Sequence, residues 1–389
     1  MAILLRFFRL PARRWLRFEL RSQEALRNLN ALARTTHTRV AHDDTVNHLL
    51  KDLPVSGMEW LRTQAVRRLL RTRALEKFRF LDRFYLVAID GTGYLSFHTR
   101  HCDQCLTREL PDGTTLYYHP VVEAKLICHN GMAISLATEF VENTDGAEKQ
   151  ECELNAFYRL MPRLRQDFPR LPLCLLLDGL YLNQNVMDVA EKHRLRYIIT
   201  FKEGSLPEAY DEFKRLGLLA TENRLEKIHH GIRRRYRWMN DLQHEGHTFS
   251  AFECEETGRK GEKTRFLWAT NLRVHRHNVA YLSQKGGRLR QKIENEGFNT
   301  QKNRGFGLGH AFSENWNAGK CFYIALQLAH FLDQIISHST LLGDTPANLF
   351  GSGKAFAIRL REVWRNWTIP PSRLKRLLSR RYQIRLHSY

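Results

Sequence analysis

Two aspartates close apolar runs, and a glutamate waits far downstream among bases. Phe84–Ile89 is uninterrupted apolar sequence that ends in Asp90-Gly91-Thr92-Gly93, and Leu171–Leu177 ends in Asp178-Gly179. The glutamate lies in Ile293-Glu294-Asn295-Glu296-Gly297-Phe298. A short apolar run reads as a buried strand, and an acid at its C-terminal lip points into the crevice where open α/β sheets bind ligands. Clustered carboxylates are hard ligands for Mg²⁺. A pair of such ions about 4 Å apart can activate an attacking water or hydroxyl and stabilise the leaving oxygen of a phosphodiester.

Charge points to the same substrate class. The chain of 389 residues has a formal net charge of +20 and a pI near 9.9. Such a surface is rewarded by counterion release from phosphates, so nucleic acid is the expected partner. No apolar stretch approaches the ~18–20 residues that span a bilayer, so no membrane partner is expected. Met1–Phe18 is apolar but broken by Arg6, Arg9, Arg13, Arg14 and Arg17, and reads as a basic arm that lies on DNA. Seven cysteines without framework spacing suggest reduced thiols, hence a cytoplasmic, nucleoid-associated protein.

The acids need elements to position them. Residues 1–80 read as a helical, basic DNA-binding region, with Ser56-Gly57-Met58-Glu59 matching a capping box ahead of a helix rich in arginine (Arg62, Arg67, Arg68, Arg71, Arg73). Residues 81–205 change period. Phe84–Asp90, Tyr117–His129 and Met132–Val141 are expected strands, followed by a helix over Glu148–Phe168, a strand over Leu171–Asp178, a helix over Asn183–His193 and a strand over Arg196–Phe201. Residues 206–279 read as β-rich after one helix. Residues 280–345 carry the glutamate helix and a buried helix over Ala318–Ile336, and 346–389 form a basic tail. From Lys354 onward that tail has ten Lys or Arg, Arg381 among them, against one acid, Glu362.

The order β-β-β-α-β-α-β resembles the ribonuclease-H-like arrangement. The expected fold is therefore α/β: a mixed sheet flanked by helices, with an all-β insertion and a helical N-terminal domain. In that arrangement the ends of the first and fourth strands lie side by side, which would bring Asp90 to Asp178. The third acid is a choice between Glu294 and Glu296. At about 100° per residue, Arg290 lies about 40° and Lys302 about 80° from Glu294, while Glu296 is about 200° away. An acid flanked by phosphate-gripping cations favours Glu294. Lys202, just past the last sheet strand, would point toward the same crevice.

Together, Asp90-Gly-Thr-Gly, Asp178-Gly-Leu-Tyr, Trp268-Ala-Thr-Asn-Leu272 and the Ile293–Phe298 text resemble the DDE transposases of bacterial insertion sequences. The similar branch has a β-rich insertion before its catalytic glutamate, and the resemblance runs from about Asp43 to Ile336. It implies metal ligands at Asp90, Asp178 and Glu294, two Mg²⁺ ions for which Mn²⁺ can substitute, and a homodimer that synapses transposon ends. It also implies cleavage at terminal inverted repeats and joining of the freed 3′ ends to target DNA. The branch's signature is Tyr, two residues, Arg, three residues, Glu, six residues, Lys. Arg290 and Glu294 keep the spacing, Gly287 stands at the tyrosine, and seven residues separate Glu294 from Lys302. An insertion-domain tryptophan that holds a flipped base is implied at Trp238 or Trp268, although a packed core role is the plainer expectation for each.

His98, His101, Cys102 and Cys105 crowd one loop, with Cys128 and His129 on a strand expected nearby. The single C-x-x-C pair permits structural zinc, but with the other ligands unspecified, ordinary loop and core roles are expected. Cys152 reads as helical without obvious partners. Two rival functions remain: a ribonuclease-H-like nuclease or resolvase without strand transfer, and an inactive DNA-binding relative.

Overall fold

The computed structural model describes residues 1–143, 149–380 and 383–388. Glu148 and Arg381, read above as a helix start and part of the basic tail, lie outside these, as does the side chain of Cys152. Ten strands form one mixed sheet: β1 (Tyr85–Phe97), β2 (Leu106–Glu109), β3 (Thr115–Ile127), β4 (Ala133–Phe140), β5 (Leu173–Leu177), β6 (Arg196–Thr200), β7 (Arg224–His229), β8 (Ile232–His244), β9 (His247–Thr257) and β10 (Lys263–Thr270). Their order is β2-β3-β1-β5-β6-β10-β9-β8-β7, with β4 also beside β3. The pairings β3–β1 and β6–β10 are antiparallel, while β1–β5 and β5–β6 are parallel. Residues 206–279 thus supply one helix and four strands that continue the sheet. The outermost, β7, is an exposed strand of mostly polar residues; its Glu226 and Lys227 suit a sheet edge that must resist further pairing.

Alternation along β1 divides the core in two. Val87 and Ile89 pack with Phe157, Leu160 and Met187. Those partners lie on α6 (Lys149–Asp167) and α7 (Gln184–Lys192). Leu86 and Ala88 face the opposite way, toward Ile293, Phe298 and the apolar helix Trp316–His338. Among the described residues, no helix is long and apolar enough to cross a membrane.

The N-terminal segment is not a free basic arm. Leu5, Phe8 and Leu16 are fully buried, Arg6 donates to the carbonyls of Phe306 and Gly307 at 3.0 and 2.7 Å, and Arg9 pairs with Asp333 at 2.8 Å. Apolar spacing outweighs the arginines, which find carbonyl and carboxylate partners. The arginine-rich helix runs Val55–Arg71 without a side-chain cap, so the Ser56 capping box is not used. Its Arg62 is buried and donates to Thr138 Oγ1 at 2.6 Å, and Arg67 donates to the Asp167 carbonyl. Thr138 in turn donates to Glu123, which pairs with buried Lys125 at 3.2 Å. This polar network pins the helical region to the sheet, because buried charge is tolerated only when paired.

The C-terminal region folds back as well. Helix Gly353–Asn366 packs on helices Gln23–Ala33 and Arg14–Leu20, where Arg365 pairs with Glu19 at 2.8 Å and Asn28 donates to the carbonyls of Trp364 and Trp367. Helix Gly353–Asn366 and the N-terminal helices therefore form one lobe, while Leu386 returns to Ser339 and the sheet core.

Candidate active site

Apolar sequence forces Tyr85–Ile89 into the sheet, buried on both faces. Asp90 does not end this strand: β1 continues to Phe97 along β3, pairing Asp90 with Glu123 and bulging between Gly93 and Leu95. On its other side, pairing with β5 stops at Ala88↔Leu176, and β5 itself ends at Leu177. Asp90 and Asp178 follow two residues beyond that last pair, Asp178 with extended backbone. Parallel neighbours in register point to the same face. The two acids therefore continue the face of Ala88 and Leu176, which packs against Ile293 and Phe298.

Glu294 comes from that covering segment, which is not the regular α-helix assumed from periodicity. It is 3₁₀-helical over Gly287–Gln291, π-helical over Ile293–Asn299 and α-helical over Thr300–Asn303. A π-turn accommodates an extra residue relative to α, and such turns are frequent at functional sites. Arg290 Nη1 donates to Asp90 Oδ2 at 3.1 Å. Lys302 Nζ donates to Thr92 Oγ1 at 3.0 Å, two residues along β1 from Asp90. Glu296 is held elsewhere, by Lys292 at 2.7 Å, on the side of Gly131 and His338.

The electrostatics of Asp90 tie the acids together. Burial raises its pKa above the usual carboxylate value, and the carboxylates of Asp178 and Glu294 push the same way against the opposing Arg290 guanidinium. Asp178 Oδ1 accepts the backbone N–H of Leu180 at 2.8 Å, which fixes the turn after β5. Lys202 lies over that turn: a Cβ on Gly179 would sit 3.0 Å from its Cδ.

A fourth carboxylate was not anticipated. Glu153 accepts from the buried Tyr181 hydroxyl at 2.9 Å, and a Cβ on Gly91 would come within 2.7 Å of its Oε2. A side chain at position 91 would have to displace that carboxylate. A carboxylate on an amphipathic helix gives no local sign of this in the sequence. The acids do not close on a single point. Among the described residues, clusters whose donor atoms all lie within 4.8 Å are Cys102–Cys105–His119 and His42–Asp43–Asp44.

No family model and no curated protein matches this chain.

A crevice beside the acids is lined by Lys202, Arg265, Arg288 and Arg290, cationic groups suited to a polyanion. Trp268 also borders it, but only 3% of the residue is exposed, and its ring stacks on Phe252 and Phe266. Trp238 is 4% exposed. Both tryptophans are core residues here, and neither presents a free ring face to a base. Trp268 also accounts for Gly287, where a Cβ would meet the indole at 2.4 Å.

The cysteine loop meets a residue outside the group named from the sequence. Cys102 and Cys105 are joined by His119 from β3, while Cys128 is buried with its thiol pushed up to about 12 by burial. The partner was legible only through the β2–β3 hairpin, which sets Leu106 opposite Tyr118 and so brings Cys105 next to His119.

Proposed function

We propose that this chain is a Mg²⁺-dependent DDE transposase that cleaves DNA at terminal inverted repeats and joins the 3′ ends to target DNA. The observation that carries this reading is that Asp178 and Glu294 both act electrostatically on Asp90, beside Arg290 and Lys302, in a chain of net charge +20. The run β4-β3-β1-β5-β6, antiparallel up to β1 and parallel from β1 to β6, supports a ribonuclease-H-like core. Strands β7–β10, lying between β6 and the glutamate segment in sequence, correspond to the branch's insertion. The π-turn absorbs the extra residue between Glu294 and Lys302, so the shifted lysine still reaches the strand that carries Asp90.

The acids suit a cation. Hard oxygen donors surround Asp90, whose ionised form is disfavoured by burial and by two like charges, and positive charge would relieve that strain. Asp90, Asp178 and Glu294 would hold two Mg²⁺ ions, with Mn²⁺ substituting; these would activate the attacking oxygen and stabilise the leaving one. Arg290 would exchange Asp90 for substrate phosphate, and Lys302 and Lys202 would grip the backbone beside the cut. The basic lobe built from helix Gly353–Asn366 and the N-terminal helices would hold the element's ends, two chains working as a homodimer.

The test is Mg²⁺ with labelled duplex carrying the repeats that flank the gene, beside Asp178→Asn. Nicking at the repeat boundary and joining to a second duplex, both lost in the variant, are expected. Nicking without joining would leave a nuclease or resolvase. Binding without nicking would leave an inactive DNA-binding relative.

A further inference from the structure

Beyond the carboxylates, the loop between β1 and β2 carries a second cluster. Cys102 Sγ and Cys105 Sγ lie 3.9 Å apart, and each lies 3.3 Å from His119 Nε2. Tetrahedral zinc binds thiolate at about 2.3 Å and imidazole at about 2.0–2.1 Å, which separates two sulfurs by about 3.8 Å and sulfur from nitrogen by about 3.5 Å. The observed triangle matches those spacings, and 3.9 Å is far beyond the ~2.05 Å of a disulfide.

The surroundings favour a built site. Two segments of the chain supply the ligands: the β1–β2 loop, with Cys102 and Cys105, and β3, with His119. His119 is fully buried and stacked on Trp316 at 3.9 Å, an arrangement that fixes Nε2 toward the sulfurs. His101 lies outside this cluster: its ring centre is 6.3 Å from that of His119, and it stacks on Phe97. Asp103, next to Cys102, is turned away and pairs with Arg100 at 3.0 Å.

We infer that Cys102, Cys105 and His119 bind one structural zinc ion. Binding converts both thiols to thiolates and releases their two protons to solvent, with no redox change. The ion staples the β1–β2 loop to the β2–β3 hairpin and, through the His119–Trp316 stack, to the helix Trp316–His338. It thereby fixes the far end of the strand that carries Asp90. This inference is independent of the transposase reading.

The full chain, purified under reducing conditions without added metal, should contain one zinc by elemental analysis. Replacement by Co²⁺ should give the intense near-ultraviolet thiolate-to-cobalt charge-transfer band and tetrahedral visible bands. Cys102→Ser and His119→Ala should lose the metal; if either fails to fold, the wild-type cobalt spectrum decides alone. Absence of stoichiometric zinc after reconstitution with reduced thiols, or a Cys102–Cys105 disulfide in the reduced preparation, would overturn the site.

Discussion

Lys302 reaches Thr92 at 3.0 Å although the chain between Glu294 and Lys302 is one residue longer than the signature it resembles. The π-helical segment Ile293–Asn299 takes up that residue and returns the ammonium to β1. If Lys302 grips phosphate, Lys302→Ala should weaken binding to all duplex sequences alike. The slope of log affinity against log salt should fall by about 1. A change confined to one sequence would assign Lys302 to base readout.

Asp90→Asn should separate stability from activity. The folded-state pKa of Asp90 is raised, by burial first and by Asp178 and Glu294 next, so its ionised form destabilises the fold at neutral pH. The cost is absent below the unfolded pKa and grows as pH rises from there through the folded value. The metal-free variant should therefore melt above wild type at pH 7. Its cleavage should drop at least about a hundredfold, since losing even an outer-shell group costs about 10–100-fold. A lower Tm for the variant would contradict this account of the charge.

Gly287 is glycine because Trp268 occupies the space of its side chain, 2.4 Å from a built Cβ. Gly287→Ala should destabilise by about 1–3 kcal/mol, the usual range for overpacking. Denaturant melts measure this directly. A neutral result would mean that the indole yields freely.

How much of this was legible in sequence depended on what set each element. Buried strands announced themselves as apolar runs, so the strand starts of β1, β5 and β6 and the positions of Asp90 and Asp178 could be read directly. The first strand was read as ending at Asp90, because the apolar run stops there, and nothing local shows that β1 runs on along β3. β7 was missed: its exposed, charged sequence is what an edge strand needs and what a loop also shows. The glutamate segment was read with α-helical angles. Those angles separated Glu294 from Glu296, but could not foresee the change of helix type that places Lys302. Arg62 and the arginines of the first helix read as solvated or DNA-facing, since their partners Thr138, Phe306 and Asp333 are distant in sequence.

Acid should loosen the helix that backs the site. His330 is buried, and Gln301 Nε2 and Gln334 Nε2 approach its Nδ1 at 3.0 and 3.3 Å. Burial, then the charges of Lys125 and Arg9, hold its pKa well below the ordinary 6.5. Neutral His330 therefore contributes stability that is full above about 6.5 and is lost as pH falls toward the depressed folded value. Thermal melts should show Tm dropping below pH 6.5, and His330→Gln should flatten part of that slope. An unchanged slope would place the acid sensitivity in other groups.

If the proposed site is right, Glu294, not Glu296, completes the acid set. Glu294 acts on Asp90 electrostatically, whereas Glu296 is tied to Lys292 at 2.7 Å. Glu294→Gln and Glu296→Gln remove one charge each from the same segment, so Mg²⁺-dependent nicking of the terminal-repeat duplex compares them directly. Glu294→Gln should abolish nicking, and Glu296→Gln should leave it near wild type. Nicking that survives Glu294→Gln would contradict this assignment.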